Sequence, residues 1–331
     1  MPKVYIIIIN YNSWRDTIES LESLKKITYQ NFDILIVDNN STDDSQEKIK
    51  KYTKETLALP RRRASSLRGR HVTRYTLHEN LGFAGGNNVG IKHALKKNAD
   101  YVLLLNPDTI VESNFLDKLV ETAEQWKKQD KLAFFGPRIL LYGKNNLNSL
   151  HDREQSYDNA KIYSNGGVIN WSQTKGTLKD YGKFASEVIE IEPFETDYVS
   201  GTCMLISKEL IEKLGLMRED YFLYYEDTDW CMRARKKGIK SVIVPQSIIW
   251  HKMSTSTKEG SPAYIYYHVR SGLYCGWWNG NILKKTFVFV ISLWTFTKQP
   301  IKFFIPSKKK WAKPVMKGVI DFWRGKTGKI E

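Results

Sequence analysis

Apolar residues in this chain fall into short unbroken runs, and between the runs they recur at every third or fourth position. The runs read as buried strands, and the wider spacing reads as helices with one apolar face. Strands are predicted over residues 4–9, 33–37, 72–77, 101–105 and 132–136. A helix over 14–25 starts behind Ser13, with Asp16 placed to complete a capping box. A second runs from Ser41 or Thr42 to about residue 54, and a third over 87–97 puts Ile91, Ala94 and Leu95 on one face. Strand and helix in alternation predict an α/β fold with a mostly parallel central sheet covered by helices. Beyond residue 140 the pattern is irregular until about 195. A strand around Gly201 (197–207), a helix over 227–237 and a short strand over 241–244 follow.

The apolar fraction, 41% of 331 residues, supports one large domain or one domain with an appendage. Cys203, Cys231 and Cys275 are widely spaced, which argues against a zinc knuckle or a disulfide framework and for a reducing compartment. The first apolar run is too short for a signal peptide, and no stretch approaches the roughly 18 uncharged residues of a membrane span. Charge changes the picture at one end. Residues 281–331 hold 12 of the 51 Lys and Arg but 2 of the 36 Asp and Glu, which is ten of the fifteen net positive charges. Phe287, Phe289, Leu293, Trp294, Trp311 and Trp323 are interleaved with these lysines. A basic, aromatic helical tail suits an anionic membrane surface; a solvated tail with one core helix is the plainer reading. Nucleic acid is not expected as a partner. The basic stretch from Arg61 to Arg70 reads as an exposed loop without a catalytic role.

Five segments carry candidate chemistry. Asp38 and Asp108 follow predicted strands, so both carboxylates belong at the carboxyl edge of the sheet, where such folds bind ligands. Asp108, in Asn106-Pro107-Asp108, can ligate a hard cation completed by phosphate oxygens; Asp38 can bind a base or ribose, or cap a helix. The segment Asn80–Asn88 joins a strand to a helix, and its three glycines would let backbone amides approach an anion. It is neither a P-loop nor a dinucleotide fingerprint. Glu226, Asp227 and Asp229 crowd together after an aromatic run; mutual repulsion and apolar surroundings can raise one pKa and make a proton acceptor, although acids at a helix start are also ordinary. His251 ends a long apolar run and reads either as a core histidine or as a metal ligand that favours manganese.

In order, these pieces resemble glycosyltransferase family 2, inverting enzymes of GT-A fold. The matching segments are Ile8-Ile9-Asn10-Tyr11-Asn12, Val37-Asp38-Asn39-Asn40-Ser41-Thr42-Asp43, Asn80 to Asn88, and Leu105-Asn106-Pro107-Asp108. Ser200-Gly201-Thr202, Tyr225 to Asp229 and Trp250-His251 complete the set. The resemblance is strongest to the rhamnosyltransferase-type branch that builds bacterial surface polysaccharide. It implies a catalytic region over 1–260, with a nucleotide-sugar half (1–136) and an acceptor half (137–260), followed by a basic extension over 261–331. By resemblance, Asn10, Asn12, Asp38, Asn80, Gly82, Gly85, Gly86, Asn87, Asn106 and Gly201 line the donor pocket. Asp108 and His251 hold Mn2+ or Mg2+, Asp227 is the base, and Glu226 and Asp229 support it. Asn106 replaces the first aspartate of the usual Asp-x-Asp pattern. The implied activity moves a sugar, best rhamnose from dTDP-rhamnose, to a glycan or lipid-linked acceptor at the inner membrane face. UDP-GlcNAc, UDP-glucose and UDP-galactofuranose are alternative donors. A decayed nucleotide-sugar-binding protein and a nucleotidyltransferase are the rival classes.

Overall fold

The computed structural model describes residues 1–58, 71–142, 157, 159–170, 175–253, 260–303 and 305–330. The basic Arg61–Arg70 stretch lies outside them. The strands are β1 (Val4–Asn10), β2 (Phe32–Asp38), β3 (Val72–Thr76), β4 (Tyr101–Leu105), β5 (Thr109–Val111), β6 (Ala133–Leu141), β7 (Ile162–Ser164), β8 (Gly167–Asn170), β9 (Lys175–Leu178), β10 (Phe194–Thr196), β11 (Cys203–Ser207) and β12 (Lys240–His251). The helices are α1 (Trp14–Leu24), α2 (Ser45–Ala58), α3 (Gly82–Lys96), α4 (Phe115–Lys127), α5 (Lys208–Leu214), α6 (Glu226–Arg235), α7 (Pro262–Asn279), α8 (Ile282–Thr297), α9 (Gln299–Phe303) and α10 (Pro306–Trp323).

The main sheet runs β10-β12-β6-β11-β4-β1-β2-β3, with β5 paired to β12 and β7 to β6. β4, β1, β2 and β3 are parallel neighbours; β11 enters antiparallel between β4 and β6. Period-two alternation splits each central strand between two cores. Ile6, Ile8, Ile34, Ile36, Leu103 and Leu105 pack on the face of α1 and α4. Tyr5, Ile7, Leu35, Val37, Val102 and Leu104 pack on the face of α3, α5 and α6.

Several boundaries depart from the sequence reading. Ser13 makes no side-chain cap; its hydroxyl donates to Asn10 Oδ1 at 3.3 Å, and Asp16 pairs with Lys252 Nζ at 3.1 Å. Ser13 is turned back to Asn10 at the end of β1, and Asp16 out to a remote lysine, so neither caps the helix. Helix α2 begins at Ser45, because Ser41 is bonded to Asp38. The expected four-residue strand over 241–244 is the start of the twelve-residue β12, which bulges between Val244 and Ile248 and ends on His251.

The basic end of the chain is helical and packed. Tyr221 and Met232 share a core with Leu273, Tyr274 and Cys275 of α7, Val288 of α8, and Val319 and Phe322 of α10. Among the described residues no helix is long and apolar enough to cross a membrane.

Candidate active site

Parallel strands place their last residues side by side. The register sets Asn10 opposite Asp38 and Ile8 opposite Leu105, so β1, β2 and β4 end on one edge. There Asn10 Nδ2 donates to Asp38 Oδ2 (2.8 Å) and Ser41 Oγ (3.0 Å), and the Ser41 amide and hydroxyl donate to Asp38 at 3.0 and 2.7 Å. Asp38 is 6% exposed. Its carboxylate ties the two strand ends together. Asn12, at φ +52°, accepts from the Thr42 amide at 2.8 Å and fixes the next turn.

Asn39 makes contacts that its place in the Val37–Asp43 segment did not signal. Its Nδ2 donates to Asn80 Oδ1 and Gly82 O, both at 3.0 Å, and its Oδ1 accepts from the Leu81 amide at 2.9 Å. Helix α3 starts at Gly82 rather than at 87, so Gly85, Gly86 and Asn87 lie inside it. The amides at its start are spent: Gly82 donates to Asn80 Oδ1 and Phe83 to Phe222 O, each at 2.9 Å. Gly82 sits at φ +71°, and a Cβ there would lie 2.2 Å from Phe222 O. The glycine thus serves a close approach of α3 to the 222 turn. Asn87 donates to Phe83 O of its own helix at 3.0 Å.

Asp108 follows β4 and precedes β5, whose Thr109 pairs with His251 at the end of β12. The Lys252 amide donates to the Asp108 carbonyl at 2.9 Å. His251 Nε2 lies 3.2 Å from Asp108 Oδ1, with both side chains buried. Neither imidazole nitrogen has a hydrogen-bond partner. A buried imidazole left unpaired beside a carboxylate is a donor set suited to a divalent cation. Among the described residues, no group of three or more His, Cys, Asp and Glu is placed to hold a metal. Asp108 and His251 are the two such side chains that meet at this edge.

Glu226 and Asp227 open α6. Asp227 is partly exposed; its Oδ2 accepts from the Gly201 amide at 2.7 Å and its Oδ1 from the Thr228 amide at 2.6 Å. Burial raises its pKa, and these amide bonds oppose the rise. Glu226 is 5% exposed, with Oε2 unpartnered. Burial, then the charge of Asp227, pushes its pKa up to about 8. Asp229 is fully buried and committed elsewhere: it accepts from Arg233 Nε (2.9 Å), Tyr221 Oη (3.1 Å) and Asn279 Nδ2 (2.7 Å).

The two ends meet through adjacent residues. Gly201 bonds Asp227, and the Thr202 carbonyl accepts from the Asn106 amide at 2.9 Å. Tyr163 stands between them, with its ring edge-on to His251 at 4.4 Å and its hydroxyl bonded to Thr202. Burial, then the charges of Asp227 and Asp108, drive its pKa far above the usual phenol value. One ring thus feels both carboxylates. No sequence signal marked Tyr163, a lone tyrosine in the irregular 140–195 region. The turn before Asp227 is strained: Phe222, Tyr224 and Tyr225 have φ of 67°, 66° and 72°. Each such residue costs on the order of 1–3 kcal/mol.

The chain belongs to glycosyl transferase family 2, whose model matches residues 5–215. It is a glycosyltransferase, and its fold is of GT-A type. The dTDP-rhamnosyl transferase RfbF of Shigella flexneri is 23% identical over 278 residues, 81% of this chain and 78% of that protein. The N-acetylglucosaminyl-diphospho-decaprenol L-rhamnosyltransferase of Mycobacterium tuberculosis is 25% identical over 84% of this chain and 87% of its own length. In fold, the chain is similar to GalNAc-T7 with UDP, GalNAc and Mn2+ (TM-score 0.61, 16% identity), covering 98% of this chain and 56% of that one. It is also similar to a Pyrobaculum calidifontis mannosyltransferase with GDP-Man and Mn2+ (TM-score 0.54, 13% identity), covering 98% and 88%.

Proposed function

We propose that this glycosyltransferase inverts its donor by a single in-line displacement, with Asp227 as the base. The observation that carries the reading is the Gly201-Thr202 link, which bonds Asp227 on one side and the Asn106–Asp108 turn on the other. The acceptor hydroxyl oxygen forms a bond to the anomeric carbon as the bond from that carbon to the diphosphate oxygen breaks. The bonding pair leaves with the nucleoside diphosphate, and the proton passes to the Asp227 carboxylate. Burial and the charge of Asp227 push the Glu226 carboxyl up to about 8, so Glu226 holds a proton more readily than an ordinary carboxyl and adds less charge beside Asp227. Asp108 and His251 would hold Mn2+ or Mg2+, which when bound offsets charge on the leaving diphosphate. Asn10, Asn12, Asp38, Asn106 and the 80–88 segment shape the donor edge. Asp229 supports the base by anchoring α6.

The donor we favour is dTDP-rhamnose, and the acceptor a glycan or lipid-linked saccharide. The support is that the rhamnosyltransferases named above align with over four fifths of this chain. Residues 281–331 add a surface for an anionic membrane at the cytoplasmic face. On α8, Ile282, Leu283, Val290, Leu293 and Trp294 are exposed, with Trp294 at 62%, next to Lys284, Lys285 and Lys298. Apolar area beside basic charge is the combination that binds anionic bilayers.

Nucleoside diphosphate release, measured across a donor panel with Mn2+ and an N-acetylglucosamine-terminated lipid acceptor, tests the activity. Release from dTDP-rhamnose is expected; pyrophosphate release, or binding with no turnover for any donor, would replace the reading. Flotation on phosphatidylglycerol vesicles tests the surface: Leu293→Glu with Trp294→Glu should lose binding, and unchanged flotation would discard it.

A further inference from the structure

The turn that carries Asp227 is held from outside its own sequence. Phe222, Tyr224 and Tyr225 lie in the left-handed region, which residues with a Cβ rarely adopt. Such a turn persists only where its surroundings over-determine it, and here α7 supplies most of the grip. Phe222 stacks on Tyr267 with centroids 5.3 Å apart, and Tyr224 stacks on His268 at 4.0 Å. Ser271 Oγ donates to Leu223 O at 3.0 Å, and Arg270 donates to Tyr221 O at 3.1 Å. Arg270 is 1% exposed, and it also donates to Gly328 O near the chain end. The Gly328 amide returns a bond to Asp220 O at 2.7 Å, and the Ile330 amide donates to Tyr267 Oη, also at 2.7 Å. The end of the chain therefore closes a ring of bonds through α7 to the 220–225 turn. Both α7 and this segment lie beyond the stretch that matches the family model. The bonds around Asp108 and His251 come from β5, β12 and α1 instead.

We propose that Arg270 and Ser271, with residues 325–330, are positioning residues that aim Asp227, so that the chain end sets turnover rather than donor affinity. The proposal rests on the reading of Asp227 as the base and adds the device that holds it. A displacement of about 1 Å in a reacting group can cost on the order of 10²-fold in rate, and a relaxed turn moves Asp227 while the pairing of β5 with β12 keeps Asp108 and His251 in place.

Two variants test it: a chain ending at Arg324, and Ser271→Ala in the full-length chain. Hydrogen exchange of amides 222–228 is measured beside calorimetric binding of dTDP with Mn2+, turnover and its pH profile. In both variants those amides should exchange about tenfold faster or more. Turnover should fall by a similar factor and its acid limb should move, while the dTDP affinity stays within about threefold. Unchanged exchange overturns the proposal, as does faster exchange with unaltered turnover, or turnover and affinity falling together. If the intact chain turns over no donor, the base reading has failed; the exchange comparison still decides whether the chain end holds the turn.

Discussion

The Asn106–Asp108 turn and Asp227 are joined through Thr202 and Gly201, yet Asp108 and Asp227 are placed by opposite means. Asp108 lies in the short turn between buried β4 and β5, so the ladder that orders β4, β5 and β12 also fixes its backbone. Asp227 follows three aromatic residues in left-handed conformations, and its position depends on α3 from one side and α7 from the other. The Asp108 end is held by strand pairing; the Asp227 end follows a strained turn held by its neighbours. Substitutions at the first should register in binding, and at the second in turnover.

The widest separation of the two ends is expected from Asp227→Asn. Turnover should fall by about 10²–10⁴, with the affinity for dTDP and Mn2+ nearly unchanged in calorimetry. Equal turnover would remove Asp227 from the chemistry. Asp108→Ala should do the reverse, weakening Mn2+-dependent dTDP binding by on the order of 10–100-fold. A titration in which manganese still tightens dTDP binding by the wild-type factor would move the metal elsewhere. Gly82→Ala probes the contact between α3 and the 222 turn. Its Cβ would meet Phe222 O at 2.2 Å in a backbone already at φ +71°, so a loss of about 2 kcal/mol or more in calorimetric stability is expected. A melting temperature equal to wild type would mean that the α3 contact does not support the turn.

A further effect, read through pH, concerns Glu226. Its folded pKa is raised from 4.5 to about 8, so between those values the folded chain binds more protons than the unfolded one. Stability from this group is therefore present below about pH 4.5 and is lost as pH climbs to about 8. Glu226→Gln should flatten that decline, an effect of up to a few kcal/mol across the window. Identical pH slopes for variant and wild type, from unfolding at pH 5 and 8, would place the charged form of Glu226 in solvent.

Legibility in the sequence followed the same division. The runs behind β1, β2 and β4 are uninterrupted apolar stretches, so strand ends, and with them Asn10, Asp38 and Asp108, could be located from composition alone. The start of α3 was misplaced by five residues because glycines read as a loop, whereas they let the helix approach Phe222. Asn39 and Tyr163 were missed, since a lone polar or aromatic residue carries no periodicity. Asp229 read as part of an acidic cluster, but its helix turns it towards Arg233 and Asn279.

The sequence by itself determined the alternation of strand and helix, the edge at which carboxylates collect, and the order of motifs that marks the family. These are local properties: burial of an apolar run and the polarity of the residue that follows it. Tertiary structure decided that residue 227 meets residue 201, that Tyr163 stands between the carboxylates, and that Gly328 bonds Asp220. Such contacts span up to a hundred positions or more, and no local pattern encodes them; the strained turn at 222–225 survives because packing from remote helices outweighs its own backbone preference.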